Sequence, residues 1–325
     1  MNFSGNASSA AQPMRDAFAA AVAKNVVVAI LCLLINYINS TLVHTFFRSR
    51  SFTENPRYIL YIHLVLNDMV QLSVAGLLHM LSYAVHTLNV SLCCFLLMLA
   101  VFTTLNTPLN LASMAVERYI AVCRPLRHAQ ICTPRRTYVL IGLIWVMGAV
   151  PILPDLFVLL ATEPLAFFSS RIFCSRPSVF RHPYLVAKKS VSHVAYLTVV
   201  WLTLLYTYFR ILFAAKAAKS DARKARNTIL LHGAQLLMCM FTYMAPLLDT
   251  LFTYISPKMR FLSYLIVHIL PRLLSPVIYG LRDQAFLKYL KNYYVCCRCH
   301  DDGRHAAAAA SVPHNVTSVN PLYSK

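Results

Sequence analysis

Chemistry in this chain is open to two kinds of residue: ionisable side chains set inside apolar stretches, and clustered cysteines. Asp68 and Arg272 each interrupt a long apolar run, and Glu117 sits directly beside Arg118 where another run ends. A charge in an apolar run is costly unless paired, so these positions point to ion pairing or switching. Cys296, Cys297 and Cys299 lie close to His300 near the end of the chain. Four ligands so tightly spaced cannot easily surround a zinc ion, so acylation at Cys296 and Cys297 is the preferred reading and no metal is expected. Neither a Gly-x-Ser-x-Gly elbow nor a His-Glu-x-x-His pair occurs in the apolar runs, which argues against a hydrolase, and no cofactor is expected.

The elements that position these residues follow from composition. Of 325 residues, 58% are apolar or aromatic and 13% are charged, where a soluble domain carries about 25% charged residues. Only 7 glycines leave little room for phosphate loops or all-β turns. Disorder is excluded by the same apolar content. An all-α membrane protein remains.

A helix crosses the hydrocarbon core with roughly 20 mostly apolar residues. Seven such stretches are expected, at Val22–Phe47, Tyr58–Tyr83, Ser91–Val122, Tyr138–Leu160, Val191–Ala215, Thr228–Phe252 and Phe261–Gly280. The formal charge of +19 is gathered in short blocks between them, which is a topology signal and not the basic face of a nucleic-acid binder. With the amino terminus outside, 20 of the 30 Lys and Arg residues fall inside and nine outside, with Arg272 in a span. Residues 1–21 then form an outer tail with glycan acceptor patterns at Asn2 and Asn6. Residues 22–294 hold the bundle, with an amphipathic eighth helix over Leu281–Tyr294 on the inner leaflet, and residues 295–325 form a disordered inner tail. Only the outer face is oxidising, so one disulfide is expected there, from Cys93 or Cys94 to Cys174, with Cys93 preferred.

The run Met114-Ala115-Val116-Glu117-Arg118-Tyr119-Ile120-Ala121-Val122-Cys123-Arg124-Pro125-Leu126 closely resembles the signature that ends the third span of odorant receptors, which are class A G-protein-coupled receptors. Further matches are Asn55-Pro56-Arg57-Tyr58, Asp68, Lys224-Ala225 with Thr228 and His232, and Pro276-Val277-Ile278-Tyr279-Gly280-Leu281-Arg282. The Asn-Pro-Arg-Tyr variant looks most like fish odorant receptors.

The resemblance implies a rhodopsin-like seven-helix bundle in the plasma membrane of an olfactory sensory neuron. It would bind a small odorant from outside and activate the olfactory stimulatory G protein, raising cyclic AMP. A class A chemoreceptor for a small metabolite is the alternative, and a transporter the next, although no internal repeat is found. Glu117, Arg118 and Tyr119 match the family's coupling switch, with Glu117 pairing Arg118 in the off state, and Tyr208 and Tyr279 match tyrosines that support the open state. The ligand candidates carried over helix by helix are Val101, Thr104, Leu105, Ser192, His193, Tyr196, Tyr243, Met244, Leu247, Leu265 and His268. Lys188 and Lys189 at the outer mouth would attract an anionic ligand or anchor the loop at the headgroups. A retinal protein is excluded because Phe261–Gly280 holds no lysine, and the third span lacks the acid of amine receptors.

Two departures stand out. Ser275-Pro276 replaces the family's Asn-Pro, and Arg272 is an unusual cation for which Asp68 is the expected partner, in the place where many class A receptors hold sodium. The sixth-span Phe-Tyr-Gly is replaced near Cys239-Met240-Phe241-Thr242-Tyr243.

Overall fold

The computed structural model describes residues 18–85, 87–217 and 259–274. Five helical spans among the described residues are long and apolar enough to cross a membrane: Ala19–Arg48, Pro56–Ala84, Val90–Cys123, Pro134–Thr162 and Val194–Ala214. They coincide with the first five expected stretches. The expected sixth stretch lies outside the described residues, as do Asn2, Asn6, Tyr243, Met244, Leu247, Tyr279, Cys296 and Cys297.

In chain order the elements are α1 (Phe18–Arg48), α2 (Arg50–Thr53), α3 (Pro56–Ala84), β1 (Leu88–Asn89), α4 (Val90–Cys123) and α5 (Pro125–Ile131). There follow α6 (Pro134–Ala149), α7 (Leu153–Thr162), α8 (Leu165–Ser169), β2 (Arg171–Ile172), α9 (Arg176–Val179) and α10 (Pro183–Ala217). Last is α11 (Met259–Tyr264), continued by a π turn at Leu265–Ile269 and by helix over residues 270–274.

Local chemistry sets the boundaries. Asn55 caps α3 by accepting from the Arg57 amide at 3.1 Å, with Pro56 at the first helical position, where its missing N–H costs nothing. Thr133 and Pro134 open α6 in the same way. Pro151 and Pro154 divide the fourth span into α6 and α7. Pro271 cannot donate to the carbonyl four residues back and its ring crowds it; the π turn ahead of it opens the helix there.

α4 is the hub, packed against α3, α6 and α10, while α1 packs on α3. Amide and hydroxyl groups stitch α3 to α4: Asn67 Nδ2 donates to the Thr103 carbonyl at 2.9 Å and to Thr107 Oγ1 at 3.0 Å. Gln71 Nε2 donates to Thr104 Oγ1 at 2.7 Å, and Asn110 Nδ2 donates to the Leu60 carbonyl at 3.1 Å. Interhelical hydrogen bonds of this type contribute about 0.6–2 kcal/mol each in a membrane bundle. Trp145 Nε1 donates to His63 Nε2 at 2.8 Å and joins α6 to α3. On the opposite faces large apolar side chains point outward, among them Leu33, Phe47, Phe157 and Phe213, which a lipid environment tolerates and water does not.

The two-stranded ribbon pairs Leu88 with Ile172 and Asn89 with Arg171, antiparallel. It lies beside the Cys93–Cys174 disulfide, whose Cα atoms are 5.6 Å apart. Ser91 Oγ donates to the Phe168 carbonyl at 2.9 Å, and the Val90 amide donates to the Ser170 carbonyl at 3.1 Å. These bonds fix the segment between α7 and α10 over one end of α4, the disulfide end; Arg118 marks the other.

Candidate functional site

At the Arg118 end, α4 carries Glu117 and Arg118 into a buried setting, each 7% exposed. Glu117 Oε1 lies 3.0 Å from His128 Nε2 on α5. The carboxylate expected to pair with Arg118 thus meets the His128 imidazole. The reason is geometric: Glu117 and Arg118 are adjacent on the helix and point about 100° apart, whereas α5 folds back beneath the turn. His128 was missed at the sequence level because its eleven-residue separation from Glu117 has no helical meaning across the break at Arg124.

Cys132 follows α5, and its thiol is held above the usual range, chiefly by burial and then by the Glu117 carboxylate. Tyr119 faces α10, its ring 6.0 Å from that of Tyr206, and Cys123 Sγ reaches the Arg210 carbonyl at 3.7 Å. Tyr208 is half-buried and stacks edge-on with Phe209 at 5.5 Å.

Mid-bundle, Asp68 and Arg272 are buried, 4% and 3% exposed. Asn39 on α1 is 1% exposed, with neither side-chain amide atom hydrogen-bonded among the described residues. Asn36 Nδ2 donates to Ser73 Oγ at 3.1 Å, and α1 and α3 run antiparallel, so one turn further along α1 the register sets Asn39 near the level of Asp68. Ile269, one turn before Arg272, belongs to the same cluster as Val28, Cys32, Ile35 and Leu72.

The ligand candidates divide into two groups. Leu105 and Tyr196 come together: the Tyr196 hydroxyl donates to the Leu105 carbonyl, and Tyr196 packs on the cluster of Ala112, Ala115, Val200 and Leu204. Val101 is half-buried nearby on the same helix as Leu105. Thr104 faces α3 and is engaged by Gln71. Ser192 and His193 lie on α10.

Leu265 and His268 are elsewhere. Leu265 packs on the cluster built by α1 and α3, and the His268 ring lies 5.2 Å from Tyr264. Both residues lie within the π turn at Leu265–Ile269.

Lys188, expected at the mouth, donates to Asp155 Oδ1 at 2.6 Å and to the Pro151 carbonyl at 3.0 Å. Asp155 Oδ2 also accepts from Arg176 Nη2 at 3.4 Å. Lys188 therefore ties α10 to α7 and, through Asp155, to α9. Burial holds the Arg176 guanidinium below its ordinary value and the Asp155 carboxylate opposes that shift.

This arrangement, a hub helix disulfide-bonded at one end and bearing Glu-Arg-Tyr at the other, is that of a membrane receptor. The model of the 7 transmembrane receptor (rhodopsin family) matches residues 38–279, and the chain belongs to that family. It is a class A G-protein-coupled receptor, a multi-pass plasma-membrane protein and not an enzyme. Its relatives include odorant receptors. Odorant receptor 131-2 of Danio rerio is 28% identical over 306 residues, covering 89% of this chain and 93% of that protein. Olfactory receptor 2G6 of Homo sapiens is 31% identical over 185 residues, 54% of this chain and 57% of its own length. Olfactory receptor 5P56 of Mus musculus is 24% identical over 254 residues, 73% of this chain and 80% of its own length.

Proposed function

We propose that the chain is an odorant receptor that binds a small ligand from the extracellular side and activates the olfactory stimulatory G protein, raising cyclic AMP in an olfactory sensory neuron. The observation that carries this reading is the likeness to a fish odorant receptor over 93% of that protein's length. The amino-terminal tail, residues 1–21 with acceptors Asn2 and Asn6, lies outside. Residues 22–294 complete seven spans and an eighth helix, and residues 295–325 form the inner tail, acylated at Cys296 and Cys297.

Arg118 is the coupling switch, supported when open by Tyr208 and Tyr279. The ligand pocket centres on Val101, Leu105 and Tyr196, with Ser192, His193, Tyr243, Met244 and Leu247 completing it. Asp68 and Arg272 pair in the mid-bundle, so that the guanidinium stands where many class A receptors hold sodium; the burial of both supports this, as does the packing of Ile269 with Leu72, each one turn from Arg272 and Asp68 respectively.

Cyclic AMP measured in cells expressing the chain with the olfactory G protein, across a broad odorant panel, tests the reading. A dose-dependent rise that disappears in surface-expressed Arg118→Ala is expected. Signalling through a different G protein with no cyclic AMP change would overturn the olfactory assignment.

A further inference from the structure

The mutual faces of α1, α3 and α11 change character along their length. Toward the middle they are apolar, where Val28, Cys32, Leu72 and Ile269 form one cluster. Continuing the same helical faces toward the disulfide end brings up Lys24 and Asn25 on α1, His79 and Tyr83 on α3, and Phe261 and Tyr264 on α11. The rings form a box: His79 stacks on Tyr264 at 4.4 Å, stands 5.2 Å from Tyr83 and lies 6.0 Å from Phe261. The Lys24 ammonium is 5.6 Å from the Phe261 ring centre.

Three buried polar atoms, one from each helix, have no hydrogen-bond partner among the described residues: Asn25 Oδ1, His79 Nε2 and the Tyr264 hydroxyl. A buried unsatisfied group is costly, and two in one aromatic box, with a third on the α1 residue next to Lys24, are not explained by packing, because phenylalanine or leucine would pack as well without that cost. Such a set is retained where a polar molecule binds.

We propose that this box is a second ligand site, separate from the one on α4 and α10, and that it takes a small carboxylic acid with a hydrogen-bond donor on the adjacent carbon. The carboxylate accepts from the Tyr264 hydroxyl and His79 Nε2 beneath the Lys24 charge, and the adjacent donor meets Asn25 Oδ1. The charge follows from the surroundings: Lys24 is at the rim, Arg260 lies in the first turn of α11, and among the described residues none of the three faces bears an acid over these turns. The size follows from burial. The three polar atoms are closed off while Tyr83 is 41% exposed, so among the described residues the Tyr83 and Lys24 side chains stand at the entrance, which suits a ligand of few atoms.

The site is read by binding alone, so its failure leaves the coupling reading standing and the reverse holds as well. The full chain in lipid nanodiscs is titrated with lactate, propionate and lactamide by saturation-transfer NMR, with empty nanodiscs as background. A saturable lactate signal is expected, with propionate weaker and lactamide weakest. Tyr264→Phe and Lys24→Gln should each weaken lactate binding by about tenfold with the unfolding temperature unchanged. Equal binding of lactate and lactamide, unaltered lactate binding in Tyr264→Phe, or no saturable signal would each overturn the proposal. His79→Phe, which keeps the stacked ring and removes the nitrogen, guards against loss by misfolding: it should retain the unfolding temperature and lose lactate.

Discussion

Glu117 Oε1 and His128 Nε2 are 3.0 Å apart, and this contact ties the charged turn of α4 to the short helix α5. Glu117 is only 9% exposed at its side chain and His128 29%, so solvent screens the pair incompletely. A pair of this type contributes about 0.5–1 kcal/mol, which is roughly a two- to fivefold bias between receptor states. His128→Ala should raise ligand-free cyclic AMP by about that factor, normalised to surface expression. A basal level equal to that of the unaltered chain would mean that α5 does not restrain the switch.

The raised thiol of Cys132 gives a second handle on the same region. Burial and then the Glu117 carboxylate disfavour its thiolate, and only the thiolate reacts with a maleimide. Labelling in permeabilised cells should therefore speed up as pH rises, and Glu117→Gln should make it faster at a given pH. An unchanged rate would separate Glu117 from Cys132 in space.

Gly148 on α6 is held to a glycine by contact with α4. A Cβ built there would lie 2.2 Å from Asn106 Oδ1, and Asn106 is 1% exposed. Gly148→Ala should cost about 1–3 kcal/mol and lower the unfolding temperature in detergent. Adding Asn106→Ala should recover part of that loss, since it removes the colliding atom. If the double variant is no more stable than Gly148→Ala alone, the two helices are not in register at these residues.

Asp155 holds two cations, Lys188 and Arg176, with the three side chains at most 25% exposed. Asp155→Asn would leave both charges half-buried and uncompensated, a loss of about 3 kcal/mol, and surface expression should fall. Lys188→Gln should reduce responses to acidic and neutral odorants alike, because Lys188 fastens α10 to α7. A selective loss of acid responses would instead give Lys188 a role in ligand attraction.

The Cys93–Cys174 bond closes a separation of 81 residues. Chain-entropy arithmetic assigns about 4.5 kcal/mol to a loop of that length. Cys93→Ala or Cys174→Ala should abolish surface expression at 37 °C, whereas Cys94→Ala, which removes only a thiol lying 3.7 Å from Met98 Sδ in an apolar cluster, should be tolerated. The reverse result would exchange the two neighbouring cysteines.

What the sequence determined by itself is what depends on composition and local order. Long apolar runs with few charges can only be membrane helices, so the first five spans were legible to within a few residues. The Glu-Arg-Tyr run announced a receptor because it is contiguous. What only the tertiary structure decided is which side chain meets which across the bundle. His128 reaches Glu117 because α5 folds back, Asp155 gathers Lys188 and Arg176 from two other elements, and Leu265 packs on the cluster built by α1 and α3. Spacing along one helix fixes a facing only while the helix stays regular, and partners on other helices depend on packing distances that no local pattern encodes.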